Sequence, residues 1–205
     1  MKNLHKIFSF AICVAMLTGC AGMKQDEPEP KMYTEPRYDL SAPIDLLVGR
    51  IDVVPEFTPS FTRPNVEHLF PVSIEKTAEL WAKDRLRAVD FSSGRVAEFI
   101  IKDASVTEEI VKSNQLFDKD KLKYRAVLTV MLKISDPEKQ TTAETSIEAW
   151  RELMIPVDTQ ISEKEKYWDQ MVKKLFDAFN ERMAASIHKS LNMYVKNNTL
   201  IREYH

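Results

Sequence analysis

Two strictly alternating segments narrow the possible folds more than anything else in the chain. Tyr124, Ala126, Leu128, Val130, Leu132 and Ile134 alternate with Lys123, Arg125, Val127, Thr129, Met131 and Lys133. A period of two places the first set on one face of a strand spanning Leu122 to Ile134. Asp136-Pro137 starts a turn. From Thr141 to Ile155 the alternation resumes, with Ala143, Thr145, Ile147, Ala149 and Leu153 on one face and Glu144, Glu148 and Glu152 on the other. The two segments predict an antiparallel hairpin with residues 137–140 as its loop. Lys133 then faces Glu144, Thr129 faces Glu148 and Arg125 faces Glu152, while Leu132 faces Thr145 and Leu128 faces Ala149. A slip of one residue would turn every apolar side chain to water, so this register is strongly specified.

The rest of the chain must cover the face carrying Leu128, Leu132 and Ile147. Leu46 to Val54 reads as a first strand, with Leu47, Ile51 and Val53 on one face. Ser73 is a plausible N-cap for a helix to about Ala88, with Ile74, Ala78, Trp81 and Val89 on one stripe. Ser92-Ser93-Gly94 makes a turn. Arg95 to Val106 reads as the second strand, and Asn114 to Lys121 as a polar connection. Ser162-Glu163-Lys164-Glu165 has the form of a capping box. A long amphipathic helix follows to about Val195, with Trp168, Val172, Leu175, Phe179, Met183, Ile187 and Leu191 on its apolar stripe. The expected fold is α+β with two layers: a four-stranded, largely antiparallel sheet and two helices on one face, in the order β-α-β-β-β-α. The first connection is long enough for a crossover, which allows the first strand to run parallel to a neighbour; its place in the sheet stays open.

Several function classes fall away on composition. The chain has 205 residues, 44% of them apolar and 29% charged, ordinary for one globular domain. It has only 4 glycines and no glycine-rich phosphate loop, so no nucleotide cofactor is expected. With 29 basic residues against 31 acidic, no basic excess exists to hold nucleic acid.

The chain begins with Lys2 and Lys6, then an uncharged apolar run from Ile7 to Leu17, too short to span a bilayer. That is the pattern of a secretory signal. It ends in Leu17-Thr18-Gly19-Cys20, which resembles the lipobox of bacterial lipoproteins. The resemblance implies cleavage before Cys20, residues 1–19 being the signal, with a diacylglycerol on the thiol and usually an acyl group on the new amino terminus. Two or more chains anchor stably where one does not. Cys13 leaves with the signal and Cys20 is consumed by lipid, so neither a disulfide nor a thiolate site is expected. Without Lys2 and Lys6, 27 basic residues remain against 31 acidic, a net charge of −4. Ala21 and Gly22 follow the cysteine in place of the aspartate that resembles an inner-membrane retention signal. The outer membrane, periplasmic face, is favoured under that sorting rule, with inner-membrane anchoring left open. Residues 20–43, with Pro28, Pro30, Pro36 and Pro43, read as a lipidated cysteine and tether, and residues 44–205 as one domain.

Little in the rest points to catalysis. His188 sits at the margin of the last helix's stripe and His205 ends the sequence. Asp118 and Asp120 alternate with Lys119 and Lys121, which argues against a calcium loop; no metal is expected. Glu67-His68 offers an acid or base for a hydrolase, but no nucleophile elbow or zinc motif accompanies it.

The more informative stretch runs from Phe57 to Pro71. Pro55, Pro59, Pro64 and Pro71 exclude helix and central strand. Phe57, Phe61, Val66, Leu69 and Phe70 are too apolar to be left in water together. Long ordered loops are often functional. Alternatively, these side chains cap one end of the core and fasten the first helix. The candidate partner contacts are Phe61, Arg63, Asn65 and His68, with Phe61 expected to be exposed.

A lipobox, a proline-rich tether and the order β-α-β-β-β-α with a long last helix are similar to two groups. One is the lipoprotein subunit of the outer-membrane lipopolysaccharide translocon (LptE-like). The other is the auxiliary lipoproteins of ABC-type lipid transport systems (PqiC-like). The resemblance implies a non-enzymatic accessory lipoprotein serving envelope assembly or lipid transport, with the membrane and an envelope protein complex as its partners. It rests on element order, and no site residue carries over from either group.

Overall fold

In the computed structural model, residues 32–113 and 119–196 are described. Cys20 and its lipobox, Asp118 and His205 lie outside them. The elements are β1 (Ile44–Leu46), β2 (Arg50–Pro55), α1 (Ile74–Arg85), β3 (Leu86–Ala88), β4 (Val96–Asp103), β5 (Val106–Val111), β6 (Lys121–Asp136), β7 (Thr141–Pro156) and α2 (Ile161–Ser190). The architecture is α+β in two layers. The large sheet has five strands where four are expected, and β1 and β3 form a separate parallel pair.

The hairpin follows the alternation. Lys133 lies opposite Glu144, Thr129 opposite Glu148, Arg125 opposite Glu152, Leu132 opposite Thr145 and Leu128 opposite Ala149. Asp136 closes the turn by accepting from Glu138 N and Lys139 N, each at 3.2 Å, and Gln140 takes a left-handed φ of 53°. The even residues of β6 from Leu122 to Ile134 are all buried.

The differences from the expected pattern arise where the backbone changes partner. The first strand is split at residues 47–49. There Gly49 approaches the Ser93 carbonyl so closely that a Cβ would lie 2.4 Å from its oxygen. Gly49 N also donates to Arg95 O at 2.9 Å. Before this break β1 pairs with β3; after it β2 runs parallel to β4. The residues expected to end the first helix instead form β3. Leu86 turns extended after a last helical bond to Ala82 O, and Arg87 grips Asp45 with bonds of 2.7 and 2.9 Å.

The second strand also divides. Asp103 Oδ1 accepts from Ser105 N at 2.9 Å, a local turn that competes with the ladder. Beyond it β5 resumes pairing with the same strand, so β4 flanks one half of β6 and β5 the other. β7 flanks the opposite side of β6 along its whole length.

Ser73 caps α1, its hydroxyl accepting from Lys76 N at 3.2 Å. The box at Ser162 is not the cap of α2: the helix starts one residue after Gln160, which makes no side-chain cap bond. Thr159 has already turned the chain by donating from N and Oγ1 to Pro156 O, at 3.1 and 2.7 Å. α2 ends at Ser190, short of Val195. Its stripe from Trp168 to Ile187, with Leu191 beyond, is buried against the sheet. Trp81 of α1 lies between the layers, stacked on Phe99 at 5.6 Å and edge-on to Phe179 at 5.1 Å.

The later part of the stretch expected as a tether makes specific contacts. Arg37 forms a two-pronged pair with Asp84 at 2.8 and 2.6 Å, and Tyr38 N donates to the same carboxylate at 2.9 Å. Lys76 pairs with Glu35 at 2.7 Å. These bonds, first among them the Arg37 guanidinium for Asp84, hold the Asp84 and Glu35 carboxyls below their ordinary range. Arg85 donates to the Ala42 carbonyl and, at 3.1 Å, to Asn180 of α2. Tyr33 and Tyr38 pack on the core, and burial, then the Asp177 carboxylate, raises the Tyr38 hydroxyl pKa.

Candidate functional site

Pro55 ends β2, and the next two amides, of Glu56 and Phe57, both donate to Ile101 O at 3.0 Å. The chain then crosses to the far edge of β5. Val66 N donates to Val106 O and Glu108 N to Pro64 O, each at 2.8 Å, with Asn65 bridged to Thr107. Residues 64–66 thus add a short extra strand to β5. The Glu67 carboxylate closes the loop on itself: Oε1 accepts from Ser60 N at 2.8 Å and Oε2 from Val106 N at 3.4 Å. A single tight turn over Glu67–Leu69 delivers Phe70 to the core. There Phe70 stacks on Trp168 at 4.9 Å and meets Tyr124 edge-on at 6.3 Å.

The aromatics of this loop have opposite fates. Phe70 is 8% exposed and Val66 1%, so these two fasten the loop. Phe57 is half-buried against the core. Phe61 is 75% exposed. Its ring sits 5.4 Å from the ring of His68, tilted by 53°. Between these rings, Phe57, Phe70 and Glu75 lies an open groove of about 170 Å³. Burial, then the neighbouring Glu79, raises the Glu75 carboxyl pKa. Elsewhere on the loop, Arg63 pairs with Glu108, whose other oxygen accepts the Tyr124 hydroxyl at 2.5 Å. Burial and then that carboxylate push the Tyr124 hydroxyl pKa up.

The four residues singled out in the sequence therefore divide. Phe61 and His68 come together as an exposed aromatic pair. Arg63 is exposed but engaged with Glu108, and Asn65 is half-buried in the strand addition. No hydrogen bond joins Glu67 to His68; Glu67 is committed to main-chain amides, so the alternative hydrolase reading gains no Glu67–His68 pair. Cys20 lies outside the described residues. Sequence reasoning missed Glu108 and the β5 edge that anchors the loop. The signal was the β-branched run Val106-Thr107 followed by Ile110-Val111, obscured by two glutamates between them. Among the described residues no group of three His, Cys, Asp or Glu side chains is placed to hold a metal ion, and no helix is long and apolar enough to cross a membrane.

No family model matches the chain, and no curated protein does. Among solved structures, the chain is similar to a minor lipoprotein from Acinetobacter baumannii, at 13% identity over 74% of this chain and 98% of that one, with a TM-score of 0.39. It is also similar to the rare lipoprotein B from Shewanella oneidensis, at 12% identity over 66% of this chain and 97% of that one, with a TM-score of 0.29. Neither likeness is close enough to transfer a role.

Proposed function

We propose that this chain is a lipid-anchored, periplasm-facing accessory lipoprotein, held in the outer membrane through acylated Cys20. It serves a protein complex of envelope assembly or lipid transport, as a binding partner and not as an enzyme. The 57–71 loop is its contact surface. The observation that carries this reading is the exposure of Phe61 on a loop whose neighbours Val66 and Phe70 are buried. A large aromatic held in water by a fastened loop loses little freedom on docking, and with the exposed Arg63 two residues on it has the composition of an interface anchor.

Two substitutions test the two parts separately. Cys20→Ala should leave an uncleaved precursor and no mature form in washed membranes; maturation of that variant would sink the anchor. Phe61→Ala should leave the thermal midpoint nearly unchanged while weakening co-purification of the envelope partner. A loss above about 2 kcal/mol of stability would instead mark a core residue and remove the contact surface.

A further inference from the structure

We propose that the free edge of β7 accepts an extended basic segment of a partner protein as an added strand. β7 runs 16 residues, and among the described residues its only strand neighbour is β6. The direction of its main-chain groups follows from the ladder. Val127 N donates to Ser105 O, and Val157 N to Asp120 O. Odd residues of β6 therefore bond toward β4 and β5, and even ones toward β7. Their β7 partners are odd, so the N–H and C=O groups of Glu144, Ser146, Glu148 and Trp150 point to the open edge.

The side chains of these same residues stand on the sheet face away from the helices. Glu144 and Glu148 are exposed and have no ion-pair partner among the described residues. Lys133, opposite Glu144, spends its ammonium on Glu98 at 3.0 Å. Next along the strip, Trp150 is 50% and Met154 53% exposed. Charges alone would be the usual protection of an edge. Charges followed by a half-exposed tryptophan and methionine make a recognition strip instead. A strand laid antiparallel on β7 would place an apolar residue opposite Trp150 and a lysine or arginine opposite each of Glu148 and Glu144. Main-chain bonds would supply adhesion and these pairs selectivity. A second copy pairing through β7 would bring these glutamates near their own counterparts, so the charge pattern favours a basic partner over self-association.

The full chain in detergent micelles, titrated with short synthetic peptides, tests this. One peptide is valine- and threonine-rich with two lysines separated by three residues; its control carries glutamates instead. Trp81 and Trp168 are buried, so fluorescence changes report Trp150. The lysine peptide should shift that signal and slow amide exchange at Glu144, Ser146, Glu148 and Trp150, leaving Ala149 unchanged. The double substitution Glu144→Lys, Glu148→Lys should weaken the lysine peptide about tenfold and favour the glutamate peptide. Equal binding of both peptides, binding without protection of those amides, no binding at all, or dimerisation through β7 would each overturn the proposal. Far-UV circular dichroism of the charge-reversed variant keeps a folding defect from being read as lost binding. The result is independent of the Phe61 experiment.

Discussion

On one side of β6 the large sheet is layered twice over: β2 lies beyond β4, and residues 64–66 lie beyond β5. On the other side β7 stands alone among the described residues. The first side carries prolines at 55, 59, 64 and 71, a carboxylate bound to one loop amide and one β5 amide, and a phenylalanine driven into the core. Within β7 itself no proline precedes Pro156, and among the described residues no strand pairs with its outward main-chain groups. Both sides expose an aromatic, Phe61 on one and Trp150 on the other. The difference lies in what remains available for a partner. The loop offers mainly side chains, and beyond β4 the other edge on that side is the short β2, which ends in Pro55. The β7 side presents, among the described residues, an unpaired row of main-chain groups. Closing an edge with prolines and internal hydrogen bonds leaves rigid anchors, whereas leaving it open keeps the capacity for strand addition.

The largest expected effect is on the closed side. Phe70→Ala should destabilise the domain by about 3–5 kcal/mol, because a buried ring stacked on Trp168 leaves a cavity. Chemical denaturation measures it. A loss under about 1 kcal/mol would mean that the loop is not fastened through Phe70.

Proline placement separates the two orientations of β7. Ala149→Pro removes a donor to β6 and orphans a buried carbonyl, at a cost of about 1–3 kcal/mol before any clash. Glu148→Pro removes an amide directed at the open edge and should cost well under half as much. Similar thermal midpoints for the two variants would contradict an open β7 edge.

Glu67→Gln removes the charge that accepts from Ser60 N and Val106 N. It should cost about 1–2 kcal/mol and speed amide exchange at those residues, with Phe70 still buried. Unchanged exchange would show that the prolines alone hold the loop.

The smallest effect is electrostatic and lies on the β7 side. Hydrogen bonds from Lys123, then from Arg125, lower the Glu152 carboxyl pKa. A carboxyl lowered on folding contributes stability above its unfolded value of about 4.3. That contribution is lost as pH falls through the lower folded value. In a carboxyl NMR titration Glu152 should have its midpoint below that unfolded value. A midpoint at or above it would show that these pairs do not persist in solution.

The loop's composition announced its importance, yet which of its rings would be buried depended on Trp168 and Tyr124, distant in sequence. Glu67 and His68 looked like a reactive pair because adjacency in sequence is visible and side-chain direction is not. The docking of residues 33–43 was hidden for a related reason: prolines and charges read as solvated coil until Asp84 and Lys76 are brought beneath them.

The sequence by itself determined the hairpin register and the buried stripe of α2, since apolar periodicity of two or of three to four records which face of an element leaves water. Only the tertiary structure decided which neighbour each strand edge would meet. It sent Lys133 to Glu98 and not Glu144, split the first two strands at Gly49 and at Asp103, and left β7 with β6 as its one strand neighbour among the described residues. Side-chain alternation encodes the two faces of a sheet, but every residue carries the same main-chain donor and acceptor, so the edges carry no comparable code.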